Sequence, residues 1–223
     1  MRPRAARFRR LRFERARQVP SLLGKLTDSE RTELLANIYY LNMEELREFC
    51  DLHGIPYAIY FETEDGRVRK SRDGDRKGIV IDRIVHFLKT GTIKPRTLFA
   101  QSVVSFEPMR SPPRESDRIF YGKYKDSDPG FLALMKRLTG GTFGAGAISQ
   151  EVLRACWTGG EAPTYREFAR LWMKAREDHT KPNPEWAFLT DRAKGVAGAD
   201  WKKLRIKKAS AAIAVMKKIA PPA

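Results

Sequence analysis

The chain has 223 residues, 42% of them hydrophobic, with a formal net charge of +16 and a pI near 10.1. That length and composition suit one large or two small domains with a real core, which excludes a disordered chain. No run of eighteen apolar residues occurs and there are only two cysteines, which excludes a membrane-spanning helix and a disulfide framework.

The charge is concentrated at the ends. Residues 1–26 hold nine basic residues against one acid and residues 201–223 hold seven against none, so the ends supply +15 and residues 27–200 only +1. Such a balance favours nucleic acid or another anionic surface as partner. Residues 1–25 are expected to form a disordered basic arm, with Arg2, Arg4, Arg7, Arg9, Arg10, Arg12, Arg15 and Arg17 interleaved by Phe8, Leu11 and Phe13. Three readings compete for it: an arm lying on phosphates, an organelle-targeting presequence and a solubilising tail. Glu14 and the lack of serine in residues 1–18 weigh against the presequence, the stretch has no apolar core of a secretory signal, and the phosphate arm is favoured.

From Leu26 the chain is expected to fold. Thr27-Asp28-Ser29-Glu30 is a capping box, opening a helix with Leu34, Leu35, Ile38 and Tyr39 on its buried side and running to Tyr40. A second helix places Met43, Leu46, Phe49, Cys50 and Leu52 on roughly one face and stops at Gly54. A third opens at Lys77-Gly78, buries Val80, Ile84, Phe87 and Leu88, and ends at Gly91 as a C-cap. Between them, Ala58 to Thr63 and Arg67 to Arg69 flank Glu64-Asp65-Gly66, a hairpin signal. Residues 66–77 carry Arg67, Arg69, Lys70, Arg72, Arg76 and Lys77 against Asp73 and Asp75, a net +4. A basic loop feeding a helix N-terminus is a phosphate-binding device; a solvated loop between core helices is the plain alternative.

Glu45-Leu46-Arg47, Gly54-Ile55, Lys77 and Arg83-Ile84 resemble the SAP domain, a short helix–loop–helix family that binds DNA, often AT-rich, mostly by its backbone. The resemblance covers residues 41–91 and implies DNA as partner. The sequence departs from the family in its long connection, residues 56–76, so the usual DNA contacts are either kept or replaced by Arg67 and Arg69 on the hairpin.

Residues 98–106 are too short and mixed a stretch to assign. Residues 107–118, with Pro108, Pro112 and Pro113 in or beside them, read as a linker between residues 26–106 and a helical domain at 119–219. In that domain Asp128-Pro129 opens a helix that Gly140-Gly141 ends, and Ser149 to Trp157 forms another that Gly159-Gly160 stops. Thr164-Tyr165-Arg166-Glu167 caps a third with Phe168, Leu171 and Trp172, Asn183-Pro184-Glu185 opens a fourth with Trp186, and Asp200 caps a long basic fifth. The last helix sets Leu204, Ala212, Val215 and Ile219 against Lys202, Lys203, Lys207, Lys208, Lys217 and Lys218. The tryptophans read as core, with Trp201 alone among basic residues.

Enzymatic readings are thin. Cys50 and His53 lack a second ligand pair, His86 lies on an apolar helix, and Glu177-Asp178-His179 is the one polar cluster a metal-dependent nuclease could use. The glycine-rich run 139–146 lacks the lysine of a phosphate loop, and no Walker sequence or nucleophile elbow occurs.

The sequence therefore predicts a mainly α protein: a SAP-like helix–hairpin–helix module with a bracing N-terminal helix, then a small domain of about five helices. It predicts non-enzymatic binding of duplex DNA with little base readout and no cofactor or metal, and the resemblance implies that AT-rich duplex is among the partners. Arg67, Arg69, Lys70, Arg72, Arg76, Lys77 and Gly78 would contact phosphates, helped by Arg7, Arg9 and Arg10 of the arm and by Lys202, Lys203, Lys207 and Lys208. Six neutralised phosphates imply a slope of log affinity on log salt of roughly −5. The helical domain would position the module, self-associate or recruit a protein. A cytoplasmic, nucleoid-associated setting follows from this reading if the source is bacterial. RNA or ribosome binding, a nuclease in the helical domain, and a protein adaptor with solubilising basic ends are the rivals.

Overall fold

The computed structural model describes residues 21–108, 110–178 and 198–220. Among them the chain is mainly α, with seven α-helices and one three-stranded sheet. In order they are α1 (Asp28–Asn37), α2 (Met43–His53), β1 (Ala58–Glu62), β2 (Val68–Gly74), α3 (Lys77–Thr90), β3 (Thr97–Phe99), α4 (Pro129–Leu138), α5 (Ala147–Thr158), α6 (Tyr165–Asp178) and α7 (Gly198–Ile219). The arm with Arg7, Arg9 and Arg10, the expected helix at Asn183-Pro184-Glu185, and His179 lie outside the described residues. None of the described helices is long and apolar enough to cross a membrane.

Local signals set the helix ends. The Thr27–Glu30 capping box forms in both directions, and Asn42–Glu45 makes a second, with the Glu45 amide 2.8 Å from Asn42 Oδ1. Gly54 and Gly91 close α2 and α3 in the left-handed region, at φ 67° and 68°, where a Cβ would be strained. Helix α1 ends at Asn37 and tightens into a 3₁₀ turn, Ile38–Tyr40, that completes the expected span. Leu52 departs from expectation: it is 53% exposed, because two residues beyond Cys50 is about 200° round the helix.

A first core gathers Leu34, Ile38, Leu46, Phe49, Val80, Ile84 and Leu88 from α1 to α3. The basic last helix completes this core, packing on α1 and on the 3₁₀ turn Ile38–Tyr40. Ala209, Ala212, Val215, Met216 and Ile219 form one stripe of α7, and the alanines let it lie close on α1. Its cations fasten the seam: Arg205 reaches the Tyr40 carbonyl at 3.1 Å and the Glu45 carboxylate, and Lys218 pairs with Glu30.

The second core packs one face of the sheet on α4 to α6. Strand order is β2-β1-β3, antiparallel then parallel. Ile59, Phe61 and Phe99 face inward onto Phe131, Leu153, Trp157, Phe168 and Trp172. The expected division at 107–118 therefore does not separate the cores, since β1 and β3 belong to the second and α7 to the first. Nor does that segment swing free: Tyr165 and Arg166 amides bond the carbonyls of Asp117 and Glu115, and the Glu115 carboxylate pairs with Arg137 and Arg166 at 3.1 and 2.7 Å.

One buried ion pair joins the sheet to α3. Arg83 and Asp75 have side chains only 6% and 1% exposed and bond each other directly. Arg83 also donates to the Pro56 carbonyl (2.8 Å) and to Thr97 Oγ1 (2.7 Å), whose hydroxyl donates to the second Asp75 oxygen at 2.7 Å.

Removing one partner strands the other charge in the interior. Arg83→Met is expected to cost about 3–5 kcal/mol in urea unfolding; a loss below 1 kcal/mol would show that the pair contributes little. The Lys218 ammonium, with Thr27, holds the Glu30 carboxyl at about 2, below its ordinary 4.5. Its folded pKa is depressed, so the stabilisation is full above pH 4.5 and is lost as pH falls towards 2. In thermal melts Lys218→Ala should flatten the acid limb in that window; an unchanged limb would remove Glu30 from the acid response.

Candidate nucleic-acid interface

Strand β2 is one of the two edge strands of the sheet, and most of its residues are exposed. Tyr60 pairs with Lys70, Phe61 with Arg69 and Glu62 with Val68; the register then shifts, and Ala58 meets Gly74. A turn held by Thr63 and Asp65 presents the strand: the Thr63 amide donates to the Arg67 carbonyl at 2.8 Å, and Gly66 sits at φ 73°. Arg67, Arg69, Lys70 and Arg72 are all exposed. Arg67 pairs with Asp65 at 3.2 Å; among the described residues the other three make no side-chain hydrogen bond or ion pair.

The remaining loop cations point into the protein. Arg76 donates to the Ala147 carbonyl (2.8 Å) and to Glu151 (3.2 Å), both on α5, and Lys77 donates to the Tyr39 carbonyl. Gly78 lies half-buried in the first turn of α3, where no side chain caps the free amides. On α7, Lys202, Lys203 and Lys207 are exposed, whereas Lys208 donates to the Tyr40 hydroxyl at 2.7 Å and stands over its ring. Trp201 packs against Tyr40 with ring centroids 5.9 Å apart, so it is no open stacking platform.

Two cations beside the strand were missed in the sequence. Arg96 lies 4.1 Å over the ring of Tyr60, the cross-strand neighbour of Lys70, and Arg47 stands over Tyr57 close to Gly74. The parallel pairing of β3 with β1 brings Arg96 there, and a cation just before a three-residue strand gives no local signal.

The register shift sets five residues of β2, Lys70 to Gly74, against three of β1, Ala58 to Tyr60, and brings Ser71 and Asp73 to Tyr121. Tyr121 bonds Ser71 and donates to Asp73 at 2.8 Å, and burial pushes its phenol up to about 12, so it remains a donor at neutral pH. Arg154 of α5 donates to the Gly74 carbonyl at 3.2 Å.

Other sequence candidates carry less. Glu177 and Asp178 end α6, and among the described residues no group of three or more acids, cysteines and histidines could hold a metal. Gly140 and Gly141, at φ 61° and 83°, form the stop of α4. His53 is wedged between Phe49 and Phe87, its pKa lowered by burial, and burial pushes the Cys50 thiol up to about 12. Comparison of the chain with protein-family models, curated proteins and solved structures gave no match.

Arg76→Ala should remove the bond between the loop and α5. Losing a charged partner to a half-buried carbonyl costs about 1–3 kcal/mol, and amide exchange should accelerate in both β2 and α5. Unchanged exchange in α5 would show that Arg76 joins nothing.

Proposed function

We propose that the chain is a non-enzymatic DNA-binding protein that lays strand β2 along the phosphate backbone of a duplex. The observation that carries the reading is the set Arg69, Lys70 and Arg72 on the exposed edge strand β2, with Arg67 in the turn just before it; among the described residues Arg69, Lys70 and Arg72 make no side-chain hydrogen bond or ion pair. Successive side chains of a strand point to opposite faces, so Arg69, across from Phe61, and Lys70, across from Tyr60, flank the free edge of β2 from its two sides. From Arg67 to Arg72 the chain spans about 17 Å, so a phosphate backbone laid along that free edge meets cations from both faces. In this reading the SAP-like helices α2 and α3 are the scaffold that holds the hairpin. Exposed Lys202, Lys203 and Lys207 widen the footprint, and so would the arm. Cationic side chains on phosphates specify no sequence, so discrimination among duplexes should be slight.

The test is binding of a labelled AT-rich duplex across a salt series, with structured RNA of equal length as competitor. Replacing Arg67, Arg69, Lys70 and Arg72 with alanine removes four phosphate contacts and should reduce the slope of log affinity on log salt by roughly 3.5. An unchanged slope overturns β2 as the contact surface, and tighter binding of RNA overturns duplex DNA as the partner.

A further inference from the structure

Behind the register shift of β2 lies a cavity of about 490 Å³ that the proposed phosphate row does not use. That volume is within the range of small-ligand sites. Its walls come from both halves of the protein: Asp73 from β2, Tyr121 and Tyr124 from the segment before α4, and Gln150, Arg154 and Trp157 from α5.

The aromatic side is rigid. The Trp157 indole donates to the Ile119 carbonyl at 2.9 Å, and the rings of Tyr121 and Tyr124 lie 5.5 and 6.3 Å from it. At the rim, Gly122 adopts φ 91°, and a Cβ there would sit 2.6 Å from Phe106 and 2.8 Å from the Ser105 carbonyl. Only glycine allows Phe106 that position.

The polar side is unsatisfied. Arg154 is half-buried with one carbonyl as hydrogen-bond partner and, among the described residues, no ion pair. Burial lowers its pKa, against the opposing pull of the nearby Asp73 carboxylate. Asp73 spends one carboxylate oxygen on Tyr121 and keeps the other for a donor. Gln150 brings an amide that both donates and accepts.

We propose that this cavity binds one nucleoside 5′-monophosphate unit, with its base against the aromatic wall and its phosphate on Arg154. A plain anion would leave the rings and Gln150 idle. An apolar molecule would leave Arg154 desolvated and unpaired. Asp73 follows Arg72 on β2, so the cavity borders the proposed row, and its nucleotide would be either the unpaired end of a bound strand or a free one of the same chemistry. The strand-end form rests on the DNA-binding reading.

The test is calorimetry of the full chain with AMP, adenosine and inorganic phosphate, beside binding of hairpin DNA that is blunt or carries one unpaired 5′ nucleotide. AMP should bind about tenfold tighter than either fragment, and the overhang hairpin about fivefold tighter than the blunt one. Arg154→Gln should abolish both preferences. Gln150→Ala should weaken AMP severalfold at an unchanged melting temperature, which keeps the test sound if Arg154→Gln fails to fold. AMP binding no tighter than phosphate overturns the proposal. Preference for AMP with the two hairpins alike supports the site with the free nucleotide as its ligand. Preference for AMP with neither hairpin bound also supports the site, and overturns the DNA reading alone.

Discussion

The Arg83–Asp75 pair is the constraint on which the rest of the structure depends. Withdrawing two charges from water costs several kcal/mol per ion, and only close geometry with further hydrogen bonds offsets it. Here the offset comes from four segments at once: α3, the link from β2, the Pro56 carbonyl after α2, and Thr97 at the start of β3. Asp75 lies one residue after β2 and two before α3, so the pair fixes the direction in which the hairpin leaves the helix. The outward row of cations on β2 has its orientation from this inward one. The Arg83-Ile84 step that carried the likeness to SAP domains faces the interior in this chain, with both residues buried.

What the sequence made legible was local. Capping boxes at Thr27 and Thr164, the Asp128-Pro129 helix start, the glycine stops and the hairpin at Asp65-Gly66 are all written within a few residues, and each is where its chemistry puts it. What stayed hidden was long-range. The stripe Ala212, Val215, Ile219 announces a buried helical face but not its partner, which is α1 some 180 residues away. Strand β3 has three residues, too few for alternation to declare itself, and its parallel partner lies across α3.

The candidate site divides along the same line. Exposed Arg69, Lys70 and Arg72 are readable from the polar run that follows the hairpin turn, but nothing nearby in sequence separates them from Arg76 and Lys77, which reach α5 and Tyr39. Formal charge therefore overstates the surface available to an anion. Arg76, Lys77, Arg83, Arg205, Lys208 and Lys218 contribute to the +16, yet each bonds another part of the fold. Arg154 is the intermediate case, a half-buried cation with one carbonyl partner and, among the described residues, no ion pair.

The seating of α7 against α1 governs how the protein can be made. On the ribosome α1 emerges early, whereas the stripe of α7 that covers it is translated near residue 219. At about 5–20 residues per second, the apolar side of α1 waits roughly 10–35 s for its cover. The second core, drawn from residues 59–172, is complete in sequence before that moment. Its assembly runs ahead of the N-terminal core, so the order of closure in a nascent chain is inside first and ends last.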